Sequence, residues 1–340
     1  MLEFACLPAK ERAAIFDEAG SRRGIGSHII EKDFWVCWLL GRLFSDPELT
    51  GAMIFKGGTS LSKAYDIIHR FSEDIDLTLN PEWLGFSMAT ADAELSRTQR
   101  DKRAKQLADA CEAVVRDRLM ARCVGYVERY LSGVPATALT FEVDPTAHSP
   151  VIWFAYPRVG GATGSLRPQL KLEFGARYDQ QPSGEHAITP ITAEVFPDLF
   201  RQPKCAVIAL AAERTFWEKA TILHAEYHRP ADKPAPTGIS RHYYDLYCLS
   251  KNAAGERALA DTELLTRVRE HKQMYFRSAW AHYETATVGG LRLAPAAERR
   301  AQIERDYRAM ADMFMAPPPS FATLLEHLTM LENRFNDMLA

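Results

Sequence analysis

The chain has 340 residues, of which 47% are hydrophobic and 25% are charged. This length and composition predict a globular protein of about two to three domain-sized units. The formal net charge of −3 excludes a global positive field, so any affinity for nucleic acid must come from a local basic patch. Six scattered cysteines without a C-x-x-C pair indicate neither a zinc cage nor a disulfide scaffold. Because no secretion signal, membrane-spanning run or lipidation motif is present, we expect a cytoplasmic protein without a membrane partner.

Hydrophobic periodicity predicts helices and one short strand in the first 67 residues. An amphipathic pattern predicts a helix over residues 8–19, and Ser27 is expected to cap a longer one. The apolar run Ala52–Phe55 indicates a buried strand, after which two glycines predict a tight turn. A helix is expected over Thr59–Ile67, capped by Thr59 or Ser60.

Two aspartates follow on a predicted second strand. Side chains alternate along a strand, so Asp74 and Asp76 would share one face while Ile75 and Leu77 occupy the other. Two carboxylates this close repel each other, and Mg²⁺ is typically held by one or two carboxylates together with substrate phosphates. The pair therefore indicates a metal and nucleotide site. The alternative is an exposed strand edge that charges protect from pairing.

The glycine turn before the predicted helix suits a phosphate. A helix that begins at Gly57 and Gly58 offers free backbone N–H groups and the positive end of its dipole. Ser60, Ser62 and Lys63 could add donors. The spacing G-x-x-x-x-G-K-[ST] is absent, which argues against a Walker-type NTPase.

After the two aspartates, the sequence predicts a region that contains both helix and strands, followed by a region of helices. A highly charged helical stretch is expected first, then three strands, and from about residue 206 the pattern is helical almost throughout. The expected ranges are 92–124 for the helix and 137–144, 150–156 and 167–176 for the strands. This order predicts an α/β (α+β) domain over residues 1–205 and a helical domain over residues 206–340.

Six motifs occur in a fixed order. They are Glu31–Trp35 (EKDFW), Phe55–Lys63 (FKGGTSLSK), Arg70–Leu77 (RFSEDIDL), Leu170–Phe174 (LKLEF), Glu218–Lys219 (EK) and Arg241–Asp245 (RHYYD). The ordered set resembles the AbiEii/AbiGii-type nucleotidyltransferase toxins of the DNA polymerase beta-like superfamily. The resemblance implies a nucleotidyltransferase-fold mixed sheet with flanking helices, a helical C-terminal domain, and an NTP with Mg²⁺ or Mn²⁺ held in the cleft between the two domains.

The resemblance also implies the roles of individual residues. Asp74, Asp76 and Glu173 would bind the metal, although Glu173 could instead belong to a surface strand with alternating Lys171. Lys219 would contact the triphosphate, or else lie on a solvated helix face. The phosphate side would be lined by Gly57, Gly58, Thr59, Ser60, Lys63, Ser72 and Arg241.

The last motif departs from the family pattern. Arg241 and Asp245 match the family's Arg-Asp-x-x-Asp, but His242 replaces its first aspartate. Asp245 is expected to be catalytic together with Lys219. The alternative is an exposed i,i+4 ion pair between Arg241 and Asp245.

The implied activity is that of a nucleotidyltransferase (EC 2.7.7-type) that moves a nucleoside monophosphate from an NTP to an acceptor hydroxyl. The resemblance implies a toxin of a toxin–antitoxin or abortive-infection phage-defence system, with a cognate antitoxin as partner. In some relatives the acceptor is the 3′ end of tRNA, which makes tRNA or another RNA the expected acceptor here. Two alternatives remain open at this point: a nucleotidyl- or phosphotransferase that modifies protein, and a non-catalytic NTP-binding regulatory module.

Overall fold

The computed structural model describes residues 1–72, 74–86, 95–134, 137–159, 168–176 and 179–339. Glu73 of the third motif, residues 92–94 of the predicted charged helix and residue 167 of a predicted strand lie outside these ranges. The chain forms two compact units. The sheet unit comprises Met1–Ala64 and Phe71–Ala209, and the helical unit comprises Tyr65–Arg70 and Leu210–Ala340.

One seven-stranded mixed sheet organises the sheet unit, in the order β3-β4-β5-β2-β1-β7-β6. Its strands are β1 (Met53–Lys56), β2 (Asp74–Leu79), β3 (Ala138–Val143), β4 (Pro150–Ala155), β5 (Leu170–Gly175), β6 (Ser183–Ile188) and β7 (Cys205–Leu210). The pairs β1–β2, β3–β4 and β4–β5 are antiparallel, whereas β2–β5 and β1–β7 are parallel. The predicted mixed α/β class is confirmed.

The helices of the sheet unit are α1 (Leu2–Ala5), α2 (Ala9–Arg23), α3 (Ser27–Phe44), α4 (Gly57–Lys63), α5 (Arg97–Val114), α6 (Met120–Tyr130) and α7 (Ile191–Val195). A π-helical turn, Val115–Leu119, joins α5 to α6, and 3₁₀ turns form at Pro47–Leu49 and Pro197–Leu199.

The helices of the helical unit are α8 (Ala212–Tyr227), α9 (Ser240–Ser250), α10 (Ala253–Ala260), α11 (Thr262–Tyr275), α12 (Arg300–Ala309) and α13 (Phe321–Asn336). Four 3₁₀ turns accompany them, at Tyr283–Thr285, Ala297–Arg299, Ala311–Met313 and Asp337–Leu339. Within the described ranges, no helix combines the length and the apolar character that crossing a bilayer requires.

The core of the sheet unit explains which face of the sheet carries charge. Helix α3 is buried almost throughout, and its Trp35 ring stacks on Tyr156 while Trp38 stacks on Phe154 of β4. Phe154 lies opposite Leu170 of β5, so this apolar face of the sheet packs against α3. Alternation along each strand then sends the neighbouring polar residues to the opposite face.

The predicted strands over 137–144, 150–156 and 167–176 are confirmed as β3, β4 and β5 in the described residues. The prediction of helix from residue 206 is wrong at its start, because Cys205–Leu210 forms β7. Its sequence, CAVIAL, is a short continuous apolar run, and periodicity cannot distinguish such a run in a buried strand from one in a buried helix. The predicted domain boundary after residue 205 falls at the beginning of this strand, whereas the chain passes from the sheet unit into the helical unit after Ala209.

Candidate functional site

Two aspartates lie side by side on the polar face of the sheet. In β2, Asp74 and Asp76 are half-buried, while Ile75 and Leu77 are fully buried on the other face. The alternation predicted from the sequence is therefore present. The alternative of a sheet edge does not hold, because β2 lies between β1 and β5.

The neighbouring strand adds a third carboxylate and a lysine to this face. β5 runs parallel to β2, and the register sets Asp76 opposite Glu173 and Asp74 opposite Lys171. The Lys171 ammonium lies 2.9 Å from Glu173 Oε2 and 3.0 Å from Asp144 Oδ2. Partial burial would lower the pKa of Lys171, but the bonds with Glu173 and Asp144 outweigh it and raise the pKa, so this lysine is a fixed cation among the carboxylates.

The fit of this face to a divalent cation can be judged from its oxygen donors. Asp74 and Asp76 place two carboxylates on one half-buried face, which suits Mg²⁺ or Mn²⁺. No group of three or more His, Cys, Asp or Glu side chains is arranged as a metal cage in the described part of the chain. Because Lys171 engages Glu173, a metal would have to share that carboxylate with the lysine or displace it. The two aspartates fit the ion, and the role of Glu173 as a ligand stays a prediction.

Gly57 leaves room for the carboxylate of Asp76. Its φ of +80° is in the left-handed region that favours glycine. A Cβ at this position would lie 2.0 Å from Asp76 Oδ2 and 2.8 Å from its Cγ. Any side chain would therefore displace the carboxylate, so the first glycine of the FKGGTSLSK motif is required by the aspartate of the next motif.

The hydroxyl groups of α4 hold the turn to the strand. Thr59 Oγ1 donates to the backbone oxygen of Asp74, and Ser60 Oγ donates to the backbone oxygen of Gly57 at 2.9 Å. Both residues are buried. The prediction that one of them caps the helix is wrong, because Lys56 occupies the N-cap and no side chain caps it. Gly58, also buried, follows in the first turn, and Ser72 is half-buried two residues before β2.

Lys63 is committed to an internal ion pair. Its ammonium lies 2.7 Å from Asp33 Oδ1, and the two side chains are only 12% and 5% exposed. Burial would lower the pKa of Lys63, but Asp33 outweighs it and raises the pKa. The second Asp33 oxygen accepts the Ile191 N–H at 2.7 Å. The EKDFW motif thus braces α4 in the sheet unit, and a direct phosphate contact by Lys63 stays a prediction.

A second charged group forms within the helical unit. Arg70 binds Asp245 with two parallel hydrogen bonds, from Nε to Oδ1 at 2.7 Å and from Nη2 to Oδ2 at 2.8 Å. Lys219 approaches the same carboxylate at 2.9 Å. The side chains of Arg70 and Asp245 are 2% and 0% exposed. Burial would raise the pKa of Asp245, but Arg70 and Lys219 outweigh it and hold the pKa far below its usual range.

His242 completes this cluster. Its Nδ1 lies 3.0 Å from the Lys219 ammonium. Burial and the positive charges of Lys219 and Arg241 lower the pKa of His242 well below its usual value, so the ring is neutral at pH 7 and accepts from the lysine. Burial also lowers the pKa of Lys219, and Arg70 adds to this effect against the opposing pull of Asp245. With Lys219 protonated, two cations face one carboxylate, and the cluster has a surplus positive charge.

These contacts correct two readings of the sequence. The alternative of a surface ion pair between Arg241 and Asp245 is wrong, because Asp245 is buried against Arg70 and Lys219 while Arg241 is exposed. The alternative of a solvated face for Lys219 is also wrong, since this residue is 7% exposed. Arg70 was not foreseen as a member of the cluster, although it opens the RFSEDIDL motif.

The chain can also be compared with known proteins. The family model described as "Nucleotidyl transferase AbiEii toxin, Type IV TA system" matches residues 38–327. No curated protein matches the chain. Among solved structures, MenT4, a nucleotidyltransferase toxin from Mycobacterium tuberculosis H37Rv, is similar with 16% identity and a TM-score of 0.48, over 95% of this chain and 97% of that one. Because the family model spans most of the sequence, the chain belongs to the AbiEii family of nucleotidyltransferase toxins of type IV toxin–antitoxin systems.

Proposed function

We propose that this nucleotidyltransferase moves a nucleoside monophosphate from an NTP to a hydroxyl of RNA, with the 3′ end of tRNA as acceptor and pyrophosphate as the leaving group, in a reaction that depends on Mg²⁺ or Mn²⁺. The observation that supports a metal-dependent reaction is the carboxylate face. Asp74 and Asp76 are held half-buried beside each other, Glu173 lies opposite Asp76, and Gly57 leaves the space above Asp76 open.

On the sheet unit, Asp74 and Asp76 would hold the metal, with Glu173 as a further ligand. When bound, a divalent cation makes the attacking hydroxyl more acidic and neutralises the triphosphate. Lys171 keeps Glu173 in place, since its ammonium binds the carboxylate at 2.9 Å. Thr59 ties α4 to the first aspartate through the Asp74 carbonyl, which fixes the glycine turn relative to the carboxylates.

The remaining predicted residues would act on the phosphates. The residues that we propose for this role are Gly57, Gly58, Thr59, Ser60 and Ser72, and Lys63, which is paired with Asp33, would support them by holding α4 in place. In the helical unit, Lys219 would stabilise negative charge on the transferred phosphoryl group, as a positioned cation does. Asp245 and Arg70 fix the orientation of Lys219, and exposed Arg241 adds a further positive charge.

The choice of RNA as acceptor rests on the family resemblance. NTPs and tRNA are cytoplasmic, so we expect the reaction to occur there. Membership in a toxin–antitoxin family leads us to expect a cognate antitoxin encoded with the toxin, in a system that acts by abortive infection during phage attack. Co-expression of a neighbouring gene that restores growth would identify this partner.

The direct test is a labelling assay. The purified protein is incubated with Mg²⁺ or Mn²⁺, total tRNA and each α-³²P-labelled NTP in turn, beside Asp74→Ala. A matched control is Glu142→Gln, which changes an exposed carboxylate of β3 that accepts a hydrogen bond from Trp153. We expect label on tRNA from the wild type and from Glu142→Gln, and none from Asp74→Ala or in the presence of a chelator.

Other distributions of the label would contradict the proposal. Label on protein instead of RNA would identify a protein-modifying transferase. NTP binding without any transfer of label, across all four nucleotides and both metals, would favour a regulatory nucleotide-binding module.

A further inference from the structure

A cleft lies in the sheet unit, between the end of α3 and α6. It has a volume of about 300 Å³, which is at the lower end of the range for small-molecule sites. None of the residues assigned above to nucleotidyl transfer lines it. The charged and aromatic residues of its wall are Arg42, Asp46, Arg122, Tyr126, Arg129 and Tyr130.

The one carboxylate of this wall is already satisfied. Asp46 is buried and accepts hydrogen bonds from the Glu48 N–H at 3.0 Å, from Arg122 Nε at 2.7 Å and from the Tyr126 hydroxyl. Burial would raise the pKa of Asp46, but these donors outweigh it and hold the pKa below its usual range. Asp46 therefore stays ionised and fully engaged, and it anchors Arg122 to the wall.

The other two arginines have no such partner. The guanidinium carbons of Arg42 and Arg129 lie 5.1 Å and 5.3 Å from the centre of the Tyr130 ring. Among the described residues neither guanidinium has a carboxylate or a hydrogen-bond acceptor, and Arg42 Nε is buried without a partner. A ring contact orients a guanidinium but does not satisfy its N–H donors. Both groups therefore lie beside the Tyr130 ring with N–H donors available to a ligand.

The charge and shape of the wall select the ligand. Arg122 is paired with both Asp46 and Glu48, so the positive charge available at this wall is that of Arg42 and Arg129. The planar fork of an arginine matches the oxygens of a phosphate, with two parallel hydrogen bonds. We propose that this cleft binds a phosphate ester, with Arg42 and Arg129 as the direct donors and Tyr130 as the residue that positions them. The ester is carried either by a free nucleotide or by the backbone of an RNA strand.

Two probes distinguish these sources. Binding of 5′-AMP is measured by calorimetry, and binding of a fluorescein-labelled RNA decamer by anisotropy, both in a chelator at fixed low salt so that metal-dependent binding is absent. The test variant is Arg42→Gln with Arg129→Gln. The control is Arg22→Gln, an exposed arginine of the same unit that also lies on an aromatic ring, that of Phe196 at 4.7 Å, but outside the cleft.

We expect at least one probe to bind the wild type and Arg22→Gln equally, and the double variant to bind it about tenfold or more weakly, since hydrogen bonds to charged groups contribute that much. Loss of decamer binding alone identifies an RNA backbone, and loss of AMP binding identifies a free nucleotide. Because Arg129 is exposed, Arg129→Gln alone keeps the fold and must weaken binding even if the double variant is unstable. Equal binding by wild type and Arg129→Gln, or no binding of either probe at millimolar concentration, would overturn the proposal.

Discussion

Two groups of charged residues differ in their environment. One consists of the carboxylates of β2 and β5, and the other is the cluster around Asp245. Asp74, Asp76 and Glu173 are half-buried and close to one another on adjacent strands. Asp245 is completely buried and is neutralised by Arg70 and Lys219. A half-exposed carboxylate can be changed with little effect on folding, whereas a buried one is part of the fold itself. Activity and stability should therefore separate on the sheet and fall together in the helical unit.

We expect the largest effect on activity from a substitution in the sheet. Asp74→Asn removes one negative charge from the proposed metal site and is expected to lower kcat/KM for nucleotidyl transfer by about 10³- to 10⁴-fold. The midpoint of thermal unfolding should stay close to that of the wild type, because Asp74 is half-buried. Labelled-NTP transfer and a thermal melt measure the two quantities, with Glu142→Gln as the control. A variant that loses stability in proportion to activity would contradict the separation.

In the helical unit we expect a large loss of stability. Asp245→Asn leaves Arg70 and Lys219 buried without a countercharge, and breaking a buried pair in this way lowers the free energy of unfolding by about 3–5 kcal/mol. The matched change is Glu256→Gln, which breaks the Arg334–Glu256 pair, whose side chains are 58% and 56% exposed. An exposed pair contributes about 0–1 kcal/mol. Urea unfolding of both variants measures the difference, and equal losses would show that burial does not set the strength of these pairs.

The contrast between the two groups also explains what the sequence could predict. Asp74 and Asp76 are two residues apart on one strand, so the period of a strand alone places them on a common face. Strands β3, β4 and β5 were predicted from short candidate runs separated by Gly- and Pro-containing turns. The family motifs supplied Glu173 and Lys219, which no local pattern would have selected.

The contacts that were missed are all determined by tertiary structure. Arg70 and Asp245 are 175 residues apart in sequence, and no periodicity connects them. The neutral state of His242 depends on its burial beside Lys219. Strand β6 has the polar sequence SGEHAI, which carries no apolar alternation strong enough to identify it. The Lys171–Glu173 contact involves residues that the sequence had singled out, but only the fold shows that Asp144 shares the lysine.

Glu31 shows whether a buried carboxylate needs a paired cation to stay ionised without a loss of stability. It is 3% exposed, and its Oε1 accepts the Val159 N–H at 2.8 Å, but within the described part of the chain no ion pair of the kind made by Asp245 holds it. Burial raises its pKa from 4.5 to about 7, despite the opposing effects of the Val159 N–H, Arg12 and Arg158. Because the folded-state pKa lies above the unfolded value, the folded chain loses stability as the pH rises from about 4.5 through 7.

Glu31→Gln should remove this pH dependence. The glutamine carries no charge and its oxygen can still accept the Val159 N–H. Relative to wild type, the variant is expected to gain about 3 kcal/mol of unfolding free energy at pH 8 but less than about 1 kcal/mol at pH 5. Urea unfolding at pH 5 and pH 8 measures the change, with exposed Glu18→Gln as the control. A stability difference that is the same at both pH values would show that Glu31 is ionised normally in the folded state.

We expect the smallest effects on stability from substitutions at two glycines, which differ in the space around them. Gly51 and Gly57 both have positive φ, +69° and +80°, but a Cβ at Gly51 meets nothing within 4 Å while one at Gly57 overlaps Asp76. Alanine at either position is expected to lower the free energy of unfolding by about 1–2 kcal/mol, because the left-handed conformation is unfavourable for a residue with a side chain.

Activity then separates the two glycines. Gly51→Ala should retain the transfer rate of the wild type at a temperature where both are folded. Gly57→Ala must move the Asp76 carboxylate, and a displacement of about 1 Å in a catalytic group can lower the rate by about 10²-fold. Both variants carry the same kind of backbone strain, so its effect cancels in the ratio of their kcat/KM values. That ratio therefore measures how strongly the reaction depends on the position of Asp76. If the two alanine variants had the same rate, Asp76 would not be held at its working position by the glycine turn, and the carboxylate face would lose its main geometric support as the catalytic centre.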